Sequence, residues 1–69
     1  MKMFAGELIE DPAINIDENN KMVVTLMFRD TCFTLGGKVA IDVYEHYVRG
    51  NCLQVYVNKI GVVRQVIQY

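Results

Sequence analysis

Apolar and polar residues alternate with a period of two along most of this chain, and clusters of Gly, Asn, Asp and Pro cut the alternation into short runs. Successive side chains of an extended strand point to opposite faces, so the pattern specifies half-buried strands rather than helices. The first run carries Met3, Ala5 and the Leu8–Ile9 pair and ends at Glu10-Asp11-Pro12, where Pro12 fixes φ and removes a ladder donor. Ile14 and Ile16 alternate with Asn15 and Asp17 ahead of Glu18-Asn19-Asn20, a polar cluster that reads as a hairpin loop. From Met22 to Phe28 one phase is wholly apolar (Met22, Val24, Leu26, Phe28) and the other partly so (Val23, Thr25, Met27, Arg29). Such a strand is buried on one face and half covered on the second, as a barrel strand with a subunit contact would be.

After Gly36-Gly37, which reads as a turn, Val39, Ile41 and Val43 alternate with Ala40 and Asp42 and are expected to form a third strand. Tyr44 to Arg49 is the helix candidate, about one turn long before Gly50-Asn51 ends it. Leu53, Val55 and Val57 alternate with Gln54, Tyr56 and Asn58 as a fourth strand. Asn58-Lys59-Ile60-Gly61 then supplies a tight turn into a fifth strand, Val62 to Tyr69. The expected fold is all-β, one domain over residues 1–69: a small five-stranded barrel with one short helical turn between strands 3 and 4, the element order of the OB-fold.

A core drawn from 69 residues rarely supplies more than about 3 to 5 kcal/mol, so small domains lean on disulfides, a metal or a second subunit. Cys32, Cys52 and His46 are the only Cys and His residues, too few for a four-ligand structural zinc site. Met1 to Gly6 lacks the charged and apolar regions of a secretory leader, so two reduced thiols in a cytoplasmic protein are expected. No apolar run approaches the ~18 residues of a membrane-spanning helix. Self-association is the remaining support, with a homodimer the commonest form.

Net charge is −1, but all eight acids lie within residues 1–45, whereas residues 46–69 carry Arg49, Lys59 and Arg64 with no acid. A locally basic C-terminal third suits phosphate contacts, though three cations fall short of the footprint of a strongly basic nucleic-acid binder.

Several stretches also resemble a known family. Gly6-Glu7-Leu8-Ile9-Glu10-Asp11-Pro12 is similar to the G-x-L-x-x-D-P opening of bacterial single-stranded-DNA-binding proteins, in which a first strand ends at an Asp-Pro turn. Val23-Val24-Thr25-Leu26-Met27-Phe28 resembles that family's second strand, and Tyr47-Val48-Arg49-Gly50-Asn51 followed by Gln54-Val55-Tyr56-Val57 resembles its Y-L-x-K-G helix end leading into a V-Y-I strand. Together these cover somewhat under half the chain. The resemblance implies an OB-fold, no cofactor, and binding of single-stranded DNA as in DNA replication, with RNA an open alternative. Against the family pattern, the hairpin after the fourth strand is reduced to Asn58–Gly61, the connecting helix is short, the acidic tail is lacking, and there is no tryptophan.

Flat rings accept bases and cations accept phosphates, and each stacked base is worth about 1 to 3 kcal/mol in a sequence-tolerant way. Phe33 and Tyr44 fall near where the family stacks bases, and each reads equally as a core ring or a platform. Tyr56 lies on the Gln54 and Asn58 side of its strand, which favours a surface ring; Tyr47 and Tyr69 are further rings, and Phe28 reads as core. Arg49, Lys59 and Arg64 complete the expected nucleic-acid-binding set of Phe33, Tyr44, Tyr47, Arg49, Tyr56, Lys59 and Arg64.

No catalytic constellation is legible, and no enzyme is expected. Glu10-Asp11 and Asp17-Glu18 are adjacent carboxylates, whereas paired acid/base work needs two carboxyls facing across a pocket about 5 to 9 Å wide. Nothing local orients Cys32 and His46 as nucleophile and base. Two readings follow: a small domain that binds single-stranded nucleic acid, or a protein-interaction module that kept the barrel and lost that surface, pairing through an apolar strand or an exposed edge.

Overall fold

The computed structural model describes residues 1–69. Its elements are β1 (Lys2–Glu7), β2 (Ala13–Ile16), β3 (Met22–Met27), β4 (Cys32–Gly36), α1 (Gly37–His46), β5 (Cys52–Val57) and β6 (Val63–Gln68). The chain is mostly β, as the alternation demands, but the six strands form two three-stranded antiparallel sheets ordered β1-β5-β6 and β2-β3-β4, with no closed barrel. This corrects the expected five-stranded closure. Beyond β1 the chain reaches the second sheet through one backbone bond, Ile9 N–H to the Met27 carbonyl at 3.0 Å, and one bond does not make a ladder.

The second correction concerns residues 37–46. Val39, Ile41 and Val43 do not form a strand; they lie in α1, which is ten residues long rather than a single turn. Ala40, Val43 and Tyr47 recur at helical spacing, and that set is the one turned to the core, with Ala40 and Val43 buried and Ile41 exposed. Burial of one helical face outweighs the β preference of three branched side chains. The third strand of the expected series is instead β4, where Phe33 and Leu35 face inward opposite Leu26 and Val24. Ile14 and Ile16 also become a strand of their own, β2, paired with β3.

The core lies between the sheets and beneath α1. Leu8, Val24, Leu26, Leu53, Val55 and Ala40 are wholly excluded from water. Phe4, Phe28 and Phe33 join the sheets at one end, with ring centroids 4.8 Å (Phe4–Phe28), 5.4 Å (Phe4–Phe33) and 5.8 Å (Phe28–Phe33) apart, in tilted and edge-on arrangements that aromatic quadrupoles favour. Gly6 makes this stacking fit: a Cβ there would stand 3.0 Å from the Phe4 ring and 3.2 Å from that of Phe28. Leu8 extends the β1 ladder, donating to the Asn51 carbonyl and accepting from Gly50 N–H, each at 2.9 Å. Gly50 sits at φ 94°, a conformation that L side chains resist. No helix is long and apolar enough to cross a membrane.

Candidate nucleic-acid interface

β1 and β5 pair with Lys2 opposite Val57 and Phe4 opposite Val55. Alternate residues of β1 share a face, so Lys2 follows Phe4 onto the side that faces the core, at the open end between the sheets. There a shallow apolar cleft is lined by Lys2, Met3, Phe4, Phe33 and Val57. A second cleft, lined by Met1, Lys2, Val57, Asn58, Lys59 and Gly61, adjoins it through the shared Lys2 and Val57. Two cations and a pair of rings thus border one continuous surface, and no acid lines either cleft.

The β5–β6 turn that carries Lys59 is held by its own side chain. Asn58 Oδ1 accepts from Ile60 N–H (3.1 Å) and Val62 N–H (2.9 Å), and Gly61 adopts φ 89° to complete the turn. Lys59 therefore projects from a fixed backbone rather than from a free loop.

The seven residues expected from the sequence do not converge on one face. Phe33 belongs to the three-ring cluster, half-buried, and shares the cleft with Phe4; Lys59 lies beside it. Tyr56 is on the outer face of the β1-β5-β6 sheet, half-buried, its hydroxyl donating to Gln54 Oε1 at 3.2 Å. Tyr47 is turned against the core with its hydroxyl 3.4 Å from the Val66 carbonyl, and it lines a cleft between α1 and β6 with Arg64, Asp42 and His46. Tyr44 is exposed on α1, and Arg49 follows α1 with its backbone N–H donating to Asp11 Oδ1 at 2.7 Å. Phe33 and Lys59 are brought together; Tyr44, Tyr47, Arg49, Tyr56 and Arg64 stand elsewhere.

Lys2 and Phe4 were not singled out by sequence. Their relevance arises only from pairing β1 with β5, which carries a cation from the acid-rich N-terminal part into the basic hairpin. No three His, Cys, Asp or Glu side chains come together as a metal site, and Cys32 and Cys52 are free thiols on different sheets. Comparison with protein-family models, with curated proteins and with solved structures gives no match.

Proposed function

We propose that this chain is a non-catalytic binder of single-stranded nucleic acid, built as a pared-down, open relative of the OB-fold. With β2 set aside, the order β1, β3, β4, α1, β5, β6 is five strands with a helix between the third and fourth, which supports the finer fold reading together with the motif resemblance. The carrying observation is the joined cleft that sets Lys2 and Lys59 beside Phe4 and Phe33. One base lies against the exposed edge of the Phe4–Phe33 pair, and flanking phosphates meet the two ammonium groups. This is a minimal contact set, so affinity is modest and salt-sensitive, with log affinity falling by roughly 0.7 per phosphate contact per decade of salt on a single strand.

The same reading includes a homodimer in the cytoplasm. The chain exposes 4956 Å², whereas a compact monomer of 7.9 kDa exposes roughly 4,400 Å² by the scaling of folded monomers. The outer face of β1-β5-β6 presents Met3, Ala5, Tyr56, Gln54, Gln65 and Ile67, with Glu7 a charge at the end of β1, and suits cover by a second copy. Sedimentation equilibrium tests this part: a monomer at ~100 μM removes it, since obligate interfaces of this class hold at far lower concentration.

The nucleic-acid reading is tested by fluorescence anisotropy with labelled oligo-dT at low and moderate salt, beside oligo-U and duplex DNA. Saturable, salt-sensitive binding of the single strands is expected. Absence of binding at ~10 μM protein in low salt defeats the proposal, because even non-specific binders reach this range.

A further inference from the structure

The edge of the second sheet remote from β4 is open. β2 has β3 as its only strand neighbour, and the bond from Asp17 N–H to the Lys21 carbonyl (2.9 Å) fixes the phase of that ladder. Asn15 and Ala13 therefore turn their backbone groups to β3, and the N–H and C=O of Ile14 and Ile16 point out of the sheet. Their side chains lie on the core-bearing face, since Ile14 stands opposite the fully buried Val24, yet they remain 44% and 62% exposed.

α1 lies over the same face. Its Asp42 and His46 flank borders the cleft with Arg64 and Gln65 of β6. At about 100° per residue the opposite flank carries Ile41 and Tyr44 and is turned away from β6, where both are exposed. The Arg49 N–H to Asp11 Oδ1 bond ties the chain after α1 to the approach to β2, placing exposed Val48 at that same end. The result is an unpaired strand edge whose aliphatic side chains stand exposed on the core-bearing face. Edges are ordinarily blunted by shortness, Lys, Pro or a bulge; β2 is short and preceded by Pro12, but Ala13-Ile14-Asn15-Ile16 itself carries no Lys, Pro or bulge.

Charge selects the occupant. Glu10 and Asp11 precede β2, and Asp17 and Glu18 follow it; Lys21, across the turn from Asp17, and Arg49, whose N–H meets Asp11, are the cations beside them, so acids prevail at both ends. A second copy added antiparallel across a two-fold axis would set these acids against their own kind, which is destabilising. Nucleic-acid phosphates meet the same repulsion. We propose that this open edge binds an extended segment of a partner protein, with alternating aliphatic side chains and Lys or Arg at both ends, added as a further strand beside β2. The acids at both ends favour basic flanks whichever way the segment runs, and the site stands independently of the Lys2–Lys59 cleft.

The test is selection from a displayed library of random nonapeptides on the wild-type protein, with counter-selection on Ile16→Lys, which sets a charge on the edge. Enrichment of alternating aliphatics between basic ends is expected. Synthetic peptides from the pool should shift the backbone amides of Ala13 to Ile16 and bind Ile16→Lys about tenfold more weakly, as edge charges oppose strand addition. Glu18→Lys, at an exposed turn position, should stay folded and bind about threefold more weakly, by loss of one screened charge pair. A pool lacking alternation or basic ends, amide shifts confined to other strands, or equal binding to Ile16→Lys overturns the proposal. So does an Ile16→Lys protein that is monomeric where wild type is dimeric, which would make the occupant a second copy.

Discussion

The two tight hairpins, β2–β3 and β5–β6, are closed by the same four hydrogen bonds. Asp17 N–H donates to the Lys21 carbonyl as Asn58 N–H does to that of Val62, and Asn20 and Gly61 N–H return to the carbonyls of Asp17 and Asn58. The first side chain then accepts twice, Asp17 Oδ1 from Asn19 and Lys21, Asn58 Oδ1 from Ile60 and Val62. Each turn ends on a left-handed residue, Asn20 at φ 63° and Gly61 at φ 89°. What differs is the sign: Asp17-Glu18 makes one hairpin acidic, and Asn58-Lys59 makes the other basic. An Asx side chain closes the turn as carboxylate or as amide, so the turn itself leaves the charge at each tip free to vary.

That contrast holds only while the two sheets form one body, and the ring cluster at Phe28 is what joins them near the basic hairpin. Phe28→Ala is expected to have the largest effect, a loss of about 3 to 5 kcal/mol in urea unfolding; a loss under ~1 kcal/mol would mean that the sheets do not depend on those rings. Next comes Lys2→Glu with Lys59→Glu, expected to weaken oligo-dT binding by about thirtyfold or more and to flatten its salt dependence. Unchanged affinity would move the binding site away from the cleft. Gly6→Ala presses a methyl on Phe4 and Phe28 and should cost about 1 to 3 kcal/mol, with Phe4 displaced from the cleft; a neutral melting profile would show that the rings give way freely.

The sharpest comparison is isosteric. Asn58→Asp keeps both acceptor bonds and only changes sign, so stability should hold within about 0.5 kcal/mol while oligo-dT affinity falls about threefold to tenfold at low salt and recovers as salt screens the added charge. Asp17→Asn, the reciprocal change at the other hairpin, should leave oligo-dT affinity within about twofold at ~0.15 M salt, where charges more than about 8 Å apart are largely screened. Equal responses to the two substitutions would abolish the distinction between the ends.

Much of this architecture is legible from alternation alone. Met22–Met27 and Cys52–Val57 are strands whose apolar phase faces the core, Val63–Gln68 is a strand that turns Val63 and Val66 inward across a register shift, and both hairpin tips sit where polar clusters interrupt the pattern. Residues 37–46 mislead because Val39 and Val43 satisfy two periods at once, two residues from Ile41 as a strand and four from each other as a helix. Only the burial of Ala40 and Tyr47 separates them, and that depends on the sheets beneath. β4 escapes notice because the four residues between Asp30-Thr31 and the Gly pair give just two inward side chains, Phe33 and Leu35. The site was half visible: Lys59 and Phe33 stand out by type, whereas Lys2 and Phe4 join them through a pairing between the ends of the chain. Tyr44 shows how one reading carries another, since moving residues 37–46 from strand to helix leaves its ring exposed on α1 and outside the clefts that Phe4 and Lys59 line.

The register of β1 has a further consequence, for the order in which the chain acquires structure. β2, β3 and β4 follow one another and pair as consecutive hairpins, so that sheet can close from residues 13–36 with small loop entropy. β1 has no such neighbour: Lys2 waits for Val57, and Glu7 for Cys52. On a ribosome the first strand made therefore waits until β5 is made, and pulse-labelled hydrogen exchange during refolding should protect β3 amides before those of β1. A chain that stops short of β5 would hold one finished sheet and leave Met3 and Phe4 bare, an unclaimed strand within reach of any chaperone.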